Sequence, residues 1–342
     1  MIAHLPRFFF EGIAFGGMII IILVLMAKDS EFTNILPIIA LYAFAGYRLL
    51  PALQHIYASL TQMRFSKSAL DTLHNDLISL NSIVERNSKD YSEKYISFEK
   101  SININRINFR YPDSKQDTIK NLTFGIPALK KIGIVGTTGS GKTTTVDIIL
   151  GLLDPIDGSL SVDGKMIDNN NKRSWQKMIG YVPQQIYLSD DSVAANIAFG
   201  VEKKNINQEA VEQAAKLANL HEFVVKELDN KYDTTIGERG IRLSGGQRQR
   251  IGITRALYRK PKVMIFDEAT NALDNVTEKT VMNAIYNLEN SVTVILITHR
   301  MSTVESFDKI ILLDKGSLKA QGTFEELNKK NIIFKKMTGK IK

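Results

Sequence analysis

One short stretch constrains this chain more than any other. Lys131-Ile-Gly-Ile-Val135 runs straight into Gly136-Thr-Thr-Gly-Ser-Gly-Lys-Thr143, and the text from Thr144 to Leu152 that follows has a helical pattern. A buried strand, a glycine-rich loop ending in Lys-Thr and a helix form a unit whose loop amides converge on an anion. The glycines let the backbone fold tightly, so that successive N–H groups point at phosphate oxygens. Lys142 then reaches the β and γ phosphates, and the Thr143 hydroxyl can coordinate Mg²⁺. The bare pattern arises by chance in roughly 1% of chains of this length. A glycine-rich turn without a ligand is the alternative, and the strand-loop-helix setting argues against it.

A second feature matches the first. Lys262-Val-Met-Ile-Phe-Asp-Glu268 is a buried-strand pattern that ends in two carboxylates. At a strand end beside a phosphate loop, Asp267 suits the metal and Glu268 suits the attacking water. Phosphoryl transfer needs mainly positioning and charge neutralisation, so a carboxylate that orients or deprotonates water is a sufficient base. Adjacent acids at a strand end are common, and the upstream loop is what gives this pair its meaning.

The resemblance becomes specific at Leu243-Ser-Gly-Gly-Gln247, which looks like the signature of the ABC transporter family. In that family the signature of one subunit caps the nucleotide held by the phosphate loop of the other. The resemblance therefore implies a dimeric ATPase, with Ser244, Gly245, Gly246 and Gln247 facing the γ phosphate at a helix start. It also implies that Gly136, Thr137, Thr138, Gly139, Ser140, Gly141, Lys142, Thr143 and Thr144 hold ATP, and that Tyr111 in Arg110-Tyr-Pro112 stacks on adenine. Gln184 in Tyr181-Val-Pro-Gln184 resembles the Q-loop glutamine, which with Thr143 and Asp267 would attend Mg²⁺. His299 in Ile297-Thr-His299 resembles the switch histidine, so the implied catalytic set is Glu268, His299 and Gln184. Gly237-Glu-Arg-Gly240 resembles the loop before the signature in exporters, and Ala272-Leu-Asp274 the D-loop. Singly, Tyr111 reads as a turn aromatic, Gln184 as a surface amide and His299 as a strand-end histidine. Their joint order over residues 98–330 is what carries the resemblance.

The amino-terminal text is of another kind. Phe8 to Ala27 is a twenty-residue apolar run broken only by Glu11, long enough for a hydrocarbon core of about 30 Å. A second apolar segment spans about 35–53, interrupted by Arg48, with a polar loop at 28–34 between the two. Together they read as a membrane hairpin. A signal peptide is the alternative for the first run, but a small-x-small cleavage site is hard to find before Lys28. Arg7, Arg64 and Lys67 flank the hairpin on one side, as the positive-inside tendency prefers, which places the rest of the chain in the cytoplasm. Helical spacing continues from about 54 to 83 through Leu60, Met63, Ala69 or Leu70, Leu73, Leu77 and Leu80. Polar linker text follows, and strand-like text begins near Ile96. The expected division is 1–83 membrane hairpin with helical extension, 84–97 linker and 98–342 ATP-binding domain. The expected fold is an α/β P-loop ATPase domain, with antiparallel β and helical subdomains, preceded by an all-α transmembrane hairpin.

Composition excludes more than it selects. There are no cysteines, which removes disulfides and thiolate metal sites, and the five histidines show no paired metal-ligand spacing. The net charge of +8 is dispersed. A DNA-maintenance ATPase of the same superfamily would insert a long coiled coil between phosphate loop and signature. Here only about a hundred residues separate Lys142 from Ser244, without sustained heptads, so nucleic acid is not an expected partner. A soluble importer ATPase would lack the attached hairpin. Exporter half-transporters usually carry six membrane helices, whereas this chain has room for about two, resembling the last two. It therefore reads as an exporter lacking upstream helices, or as an inactive fragment. The implied partner is a second copy or a homologous half-transporter, in a bacterial-type inner membrane. The hairpin and linker text most resemble flippases of lipid-linked sugars, with Arg48 either contacting an anionic substrate or forming a structural ion pair, and with peptide or drug export as alternatives.

Overall fold

The computed structural model describes residues 5–28, 32–88, 95–112, 114–237, 240–241, 243–268, 278–279, 282–283, 286 and 292–339. The chain divides into two compact units, Met1–Tyr91 and Ser92–Lys342. The side chains of Arg7 and Leu80, residues Glu238 and Arg239, and the segment Ala272-Leu-Asp274 lie outside the described residues.

The first unit is two helices, α1 (Leu5–Lys28) and α2 (Phe32–Ser88). At 1.5 Å per residue they extend about 36 Å and about 85 Å. Met18, Ile21 and Leu25 of α1 and Ile38, Ile39 and Tyr42 of α2 line one small apolar cleft. Phe15, Ile19, Leu23, Leu41 and Phe44 point outward. Among the described residues, Leu36–Ile78 is long and apolar enough to cross a membrane, and Glu11–Ala27 is a shorter apolar helix. Helix α2 begins inside the stretch expected to be a loop and runs five residues past the expected end at Ile83. Pro37 and Pro51 sit within it; each lacks an N–H and removes one rung of the ladder, yet the helix continues through both.

The second unit contains two sheets. β1 (Ser101–Phe109), β2 (Ile119–Pro127), β4 (Asp157–Val162) and β5 (Lys165–Met166) form an antiparallel sheet in the order β2-β1-β4-β5. Ile102, Ile104, Ile107 and Phe109 of β1 are buried, an alternating pattern shifted by a bulge between Ile104 and Ile107 where Arg106 adopts φ 46°. The extended text near Ile96 becomes a paired strand only at Ser101.

The other sheet is built from β3 (Lys131–Gly136), β6 (Ile179–Val182), β7 (Val263–Asp267), β8 (Thr293–Thr298), β9 (Lys309–Asp314) and β10 (Ser317–Gly322). Its order is β10-β9-β3-β8-β7-β6, parallel except for β10. Every residue of β7 and β8 is buried, which is why their text is an unbroken apolar run rather than an alternating one. Helix α3 (Lys142–Ile149) follows β3 and packs Val146 and Ile149 into the core shared by the two sheets. It starts two residues earlier than the sequence pattern suggests, because Gly141, at φ 95°, turns the chain directly into it. The short α4 (Lys172–Gln176) carries Trp175, which is fully buried and donates from Nε1 to the Ile149 carbonyl at 2.7 Å.

Between β6 and β7 the chain leaves the sheet to build a helical subdomain of α5 (Val193–Ile197), α6 (Gln208–Leu217), α7 (His221–Glu227) and α8 (Gly245–Tyr258). Val193, Ile197, Val211, Leu220, Val224 and Ile251 form its separate core. The result is the α/β architecture with antiparallel and helical subdomains that the sequence implies.

Candidate active site

The carboxyl ends of the parallel strands, where open α/β sheets generally bind ligands, gather several of the residues singled out from the sequence. β3 ends in the phosphate loop. Its neighbour β8 ends just before His299, β7 ends at Asp267 with Glu268 next, and β6 is followed two residues later by Gln184. The register, with Asp267 opposite Ile297 and Val182 opposite Phe266, brings the three strand exits level.

The loop is shaped by its glycines. A Cβ on Gly136 would lie 2.3 Å from the Leu313 carbonyl oxygen, and Gly139 and Gly141 adopt φ 76° and 95°, a region that L side chains avoid. Thr137, Thr138, Gly139 and Thr143 are exposed along the loop. Ser140 lies beneath, with its hydroxyl buried and unpartnered. The loop folds around the Lys142 ammonium, which donates to the carbonyls of Gly136 at 3.0 Å and Thr137 at 2.9 Å. Burial lowers the pKa of Lys142, and the negative charges of Glu268 and Asp267 oppose that shift.

The two acids at the end of β7 have different surroundings. Glu268 adopts φ 48°, a left-handed conformation rare for a residue with a side chain, and its N–H donates to the Ile297 carbonyl at 3.0 Å. That strained turn swings its carboxylate out of the strand. Gln184 donates from Nε2 to Glu268 Oε2 at 3.1 Å, and His299 Nδ1 lies 3.7 Å from Oε1. One glutamate thus meets both residues singled out with it, from 84 and 31 positions away. Asp267 is 7% exposed. Burial, followed by the charge of Glu268, raises its pKa. The Tyr181 hydroxyl donates to its Oδ2 at 3.4 Å, and burial beside Asp267 and Asp147 pushes that phenol up to about 12, so it remains a donor.

The remaining residues group differently. Tyr111 is partly exposed, packs edge-on to Phe109 with ring centroids 5.0 Å apart, and shares a hydrogen bond with the Thr144 hydroxyl at 3.3 Å. This places an aromatic edge beside the start of α3. Ser244 is the N-cap of α8: its Oγ accepts from the Gln247 N–H at 3.2 Å, and Gln247 Oε1 accepts from the Ser244 N–H at 2.7 Å. Ser244 and Gly245 are exposed at the helix start, Gly246 is buried, and the Gln247 side chain is committed to the cap. Among the described residues no hydrogen bond joins Ser244 to Lys142 or Glu268. Arg300, beyond His299, pairs with Glu278.

Three contacts were not visible in the sequence. Tyr181 stood in the text quoted for Gln184 without a role, and its strand position relative to Asp267 emerges only from the β6–β7 register. The Arg300–Glu278 pair and the Asp147 carboxylate had no local signal.

The donor set suits magnesium. Thr143 offers a hydroxyl and Asp267 a carboxylate, hard oxygen ligands of the kind Mg²⁺ takes, and the buried acid gains most from a cation beside it. The loop amides and Lys142 suit polyphosphate.

The ABC transporter family model matches residues 119–271. The chain is 33% identical over 323 residues to the heterocyst differentiation ATP-binding protein HepA of Nostoc sp., covering 93% of this chain and 51% of that protein. It is 40% identical over 230 residues to the ATP-dependent lipid A-core flippase of Cupriavidus pinatubonensis, covering 67% of this chain and 38% of the relative. A bacterial Atm1-family ABC exporter solved with ATP bound superposes with a TM-score of 0.67 at 29% identity, over 89% of this chain and 52% of that one. The chain thus spans about half the length, or less, of the relatives it matches. With the phosphate loop, the paired acids and the signature cap in one fold, residues 119–271 belong to the ABC transporter family as its ATP-binding domain.

Proposed function

We propose that this chain hydrolyses Mg-ATP as one half of a dimer and couples the hydrolysis to export across a membrane. The observation that carries the reading is the Glu268 carboxylate, held by Gln184 on one oxygen and faced by His299 on the other, at the strand ends beside Lys142. Glu268 orients and deprotonates the attacking water, His299 stabilises the γ phosphate, and Gln184 aims the carboxylate. Lys142 and the loop amides neutralise the β and γ phosphates. Tyr111 stacks on adenine. Thr143 and Asp267, attended by Gln184, would hold the magnesium, which when bound spreads the charge of the phosphates.

Dimerisation follows from the position of the signature. Ser244 and Gly245 form an exposed helix start with Gly246 buried behind them, and among the described residues no hydrogen bond ties Ser244 to the phosphate loop of its own chain, which suits them to cap the nucleotide of a second copy or a homologous half-transporter. Closure of such a dimer around two ATPs would move the membrane helices between inward-open and outward-open states. The domain division, with a membrane hairpin before an ATP-binding body, a multi-pass inner-membrane setting and a cytoplasmic ATPase belong to the same proposal. The relatives named lipid A-core flippases, together with the exposed Arg48 on an apolar helix, favour a lipid-linked or amphipathic anionic substrate.

The test is ATP turnover in nanodiscs across protein concentrations. Turnover should rise faster than linearly with concentration, and Glu268→Gln should cut it by about 10²–10⁴-fold while ATP stays bound. Lys142→Ala should abolish nucleotide binding. An unchanged rate in Glu268→Gln would sink the base assignment.

A further inference from the structure

The β6–β7 register explains why a tyrosine reaches the metal acid. Tyr181 pairs with Ile265, and Ile265 and Asp267 share a face of β7 because side chains alternate along a strand. Tyr181 and Asp267 are therefore diagonal cross-strand neighbours, a separation that a long side chain can bridge. The Tyr181 ring packs against the core that holds Ile265, Ile297 and Val146, so its axis is set by burial and its hydroxyl is delivered to the strand end. There it donates to Asp267 Oδ2 at 3.4 Å.

We infer that Tyr181 is a positioning residue for the magnesium site, its hydroxyl holding one oxygen of Asp267 so that the other is presented to the cation. It acts through Asp267, to which its hydroxyl donates. Carboxylate ligands held by an outer hydrogen bond bind metal more tightly, and loss of such a partner typically costs about 10–100-fold in metal affinity. The inference rests on the ATPase reading of the site and assigns that site a residue the reading does not use.

The experiment uses the full chain in nanodiscs and Tyr181→Phe, which removes one oxygen and keeps the ring. Binding of a fluorescent ATP analogue is titrated with Mg²⁺, and free Mn²⁺ is followed by its paramagnetic resonance signal in the presence of ADP. Tyr181→Phe should raise the half-saturating Mg²⁺ and the Mn²⁺ dissociation constant by about tenfold, with magnesium-free nucleotide binding and the thermal midpoint unchanged. In an Asp267→Asn background the same change should add no further loss, because the residue acts through that carboxylate. Metal affinity unchanged by Tyr181→Phe would overturn the inference, and so would a loss that simply adds to that of Asp267→Asn. A lowered thermal midpoint without a metal shift would mean the phenol only packs. If the wild-type chain binds no nucleotide at all, the ATPase reading fails instead, a result the titration shows before any variant is made.

Discussion

The two units use the same residue types in opposite ways. In the helical hairpin Phe15, Ile19 and Tyr47 are 64%, 58% and 80% exposed, whereas Ile102, Ile132 and Ile134 of the sheet unit are each 0% exposed. The sheet unit buries its apolar residues in its own cores. The hairpin cannot, since two helices have too little facing surface, and such a surface is stable only in an apolar solvent or against further helices. Apolar text therefore does not by itself say where it will be buried. In the hairpin it specifies an environment, and in the sheet unit it specifies a fold.

The largest test of that contrast is to change the solvent. Removing detergent or lipid should precipitate the full chain, whereas residues 92–342 alone should stay soluble and bind ATP within about twofold of the full chain, checked by sedimentation and a fluorescent nucleotide. Aggregation of the isolated sheet unit would break the comparison.

Next in size is a matched pair of truncations. Ile134→Ala in β3 should cost about 2–5 kcal/mol in urea unfolding of the sheet unit, and Ile19→Ala on the outer face of α1 should shift the thermal midpoint of the reconstituted chain hardly at all. Equal losses would mean that Ile19 packs on protein rather than lipid.

A smaller effect sharpens the account of the sheet unit through pH. The Asp163 carboxylate accepts from the N–H groups of Glu99, Lys100 and Ser101 at 2.7–2.9 Å. Burial alone would raise its pKa, but these amides and Lys100 outweigh it and the net shift is downward. A carboxylate with a lowered folded pKa contributes stability above its unfolded value of about 3.9, and loses it as pH falls through the folded value. Asp163→Ala should therefore cost about 1–3 kcal/mol at pH 7 and progressively less below about pH 4, measured by urea unfolding across pH.

Much of this protein could be read from its text because the motifs are local. Thr137 to Gly141 turns tightly between β3 and α3, since Gly139 and Gly141 take conformations other residues avoid. Ser244 and Gln247 form a cap within one turn. Boundaries were less legible. Helix α2 runs through the polar text to Ser88 because nothing in Glu85 to Ser88 stops a helix, and α3 begins at Lys142 because the turn at Gly141 leaves no room for a longer loop. The Trp175 bond to Ile149 and the Tyr181 contact had no readable signal, since each joins residues far apart in the chain.

By itself the sequence determined that a glycine-rich loop follows a buried strand, that two acids end another, that Ser244 caps a helix, and that two amino-terminal segments are strongly apolar. These are consequences of residue type and short spacing. Only the tertiary structure decided that β3 lies between β8 and β9, that β6, β7 and β8 end side by side, and that Glu268 therefore meets both Gln184 and His299. Strand order and register are set by the packing of whole faces, and no local stretch of sequence contains them.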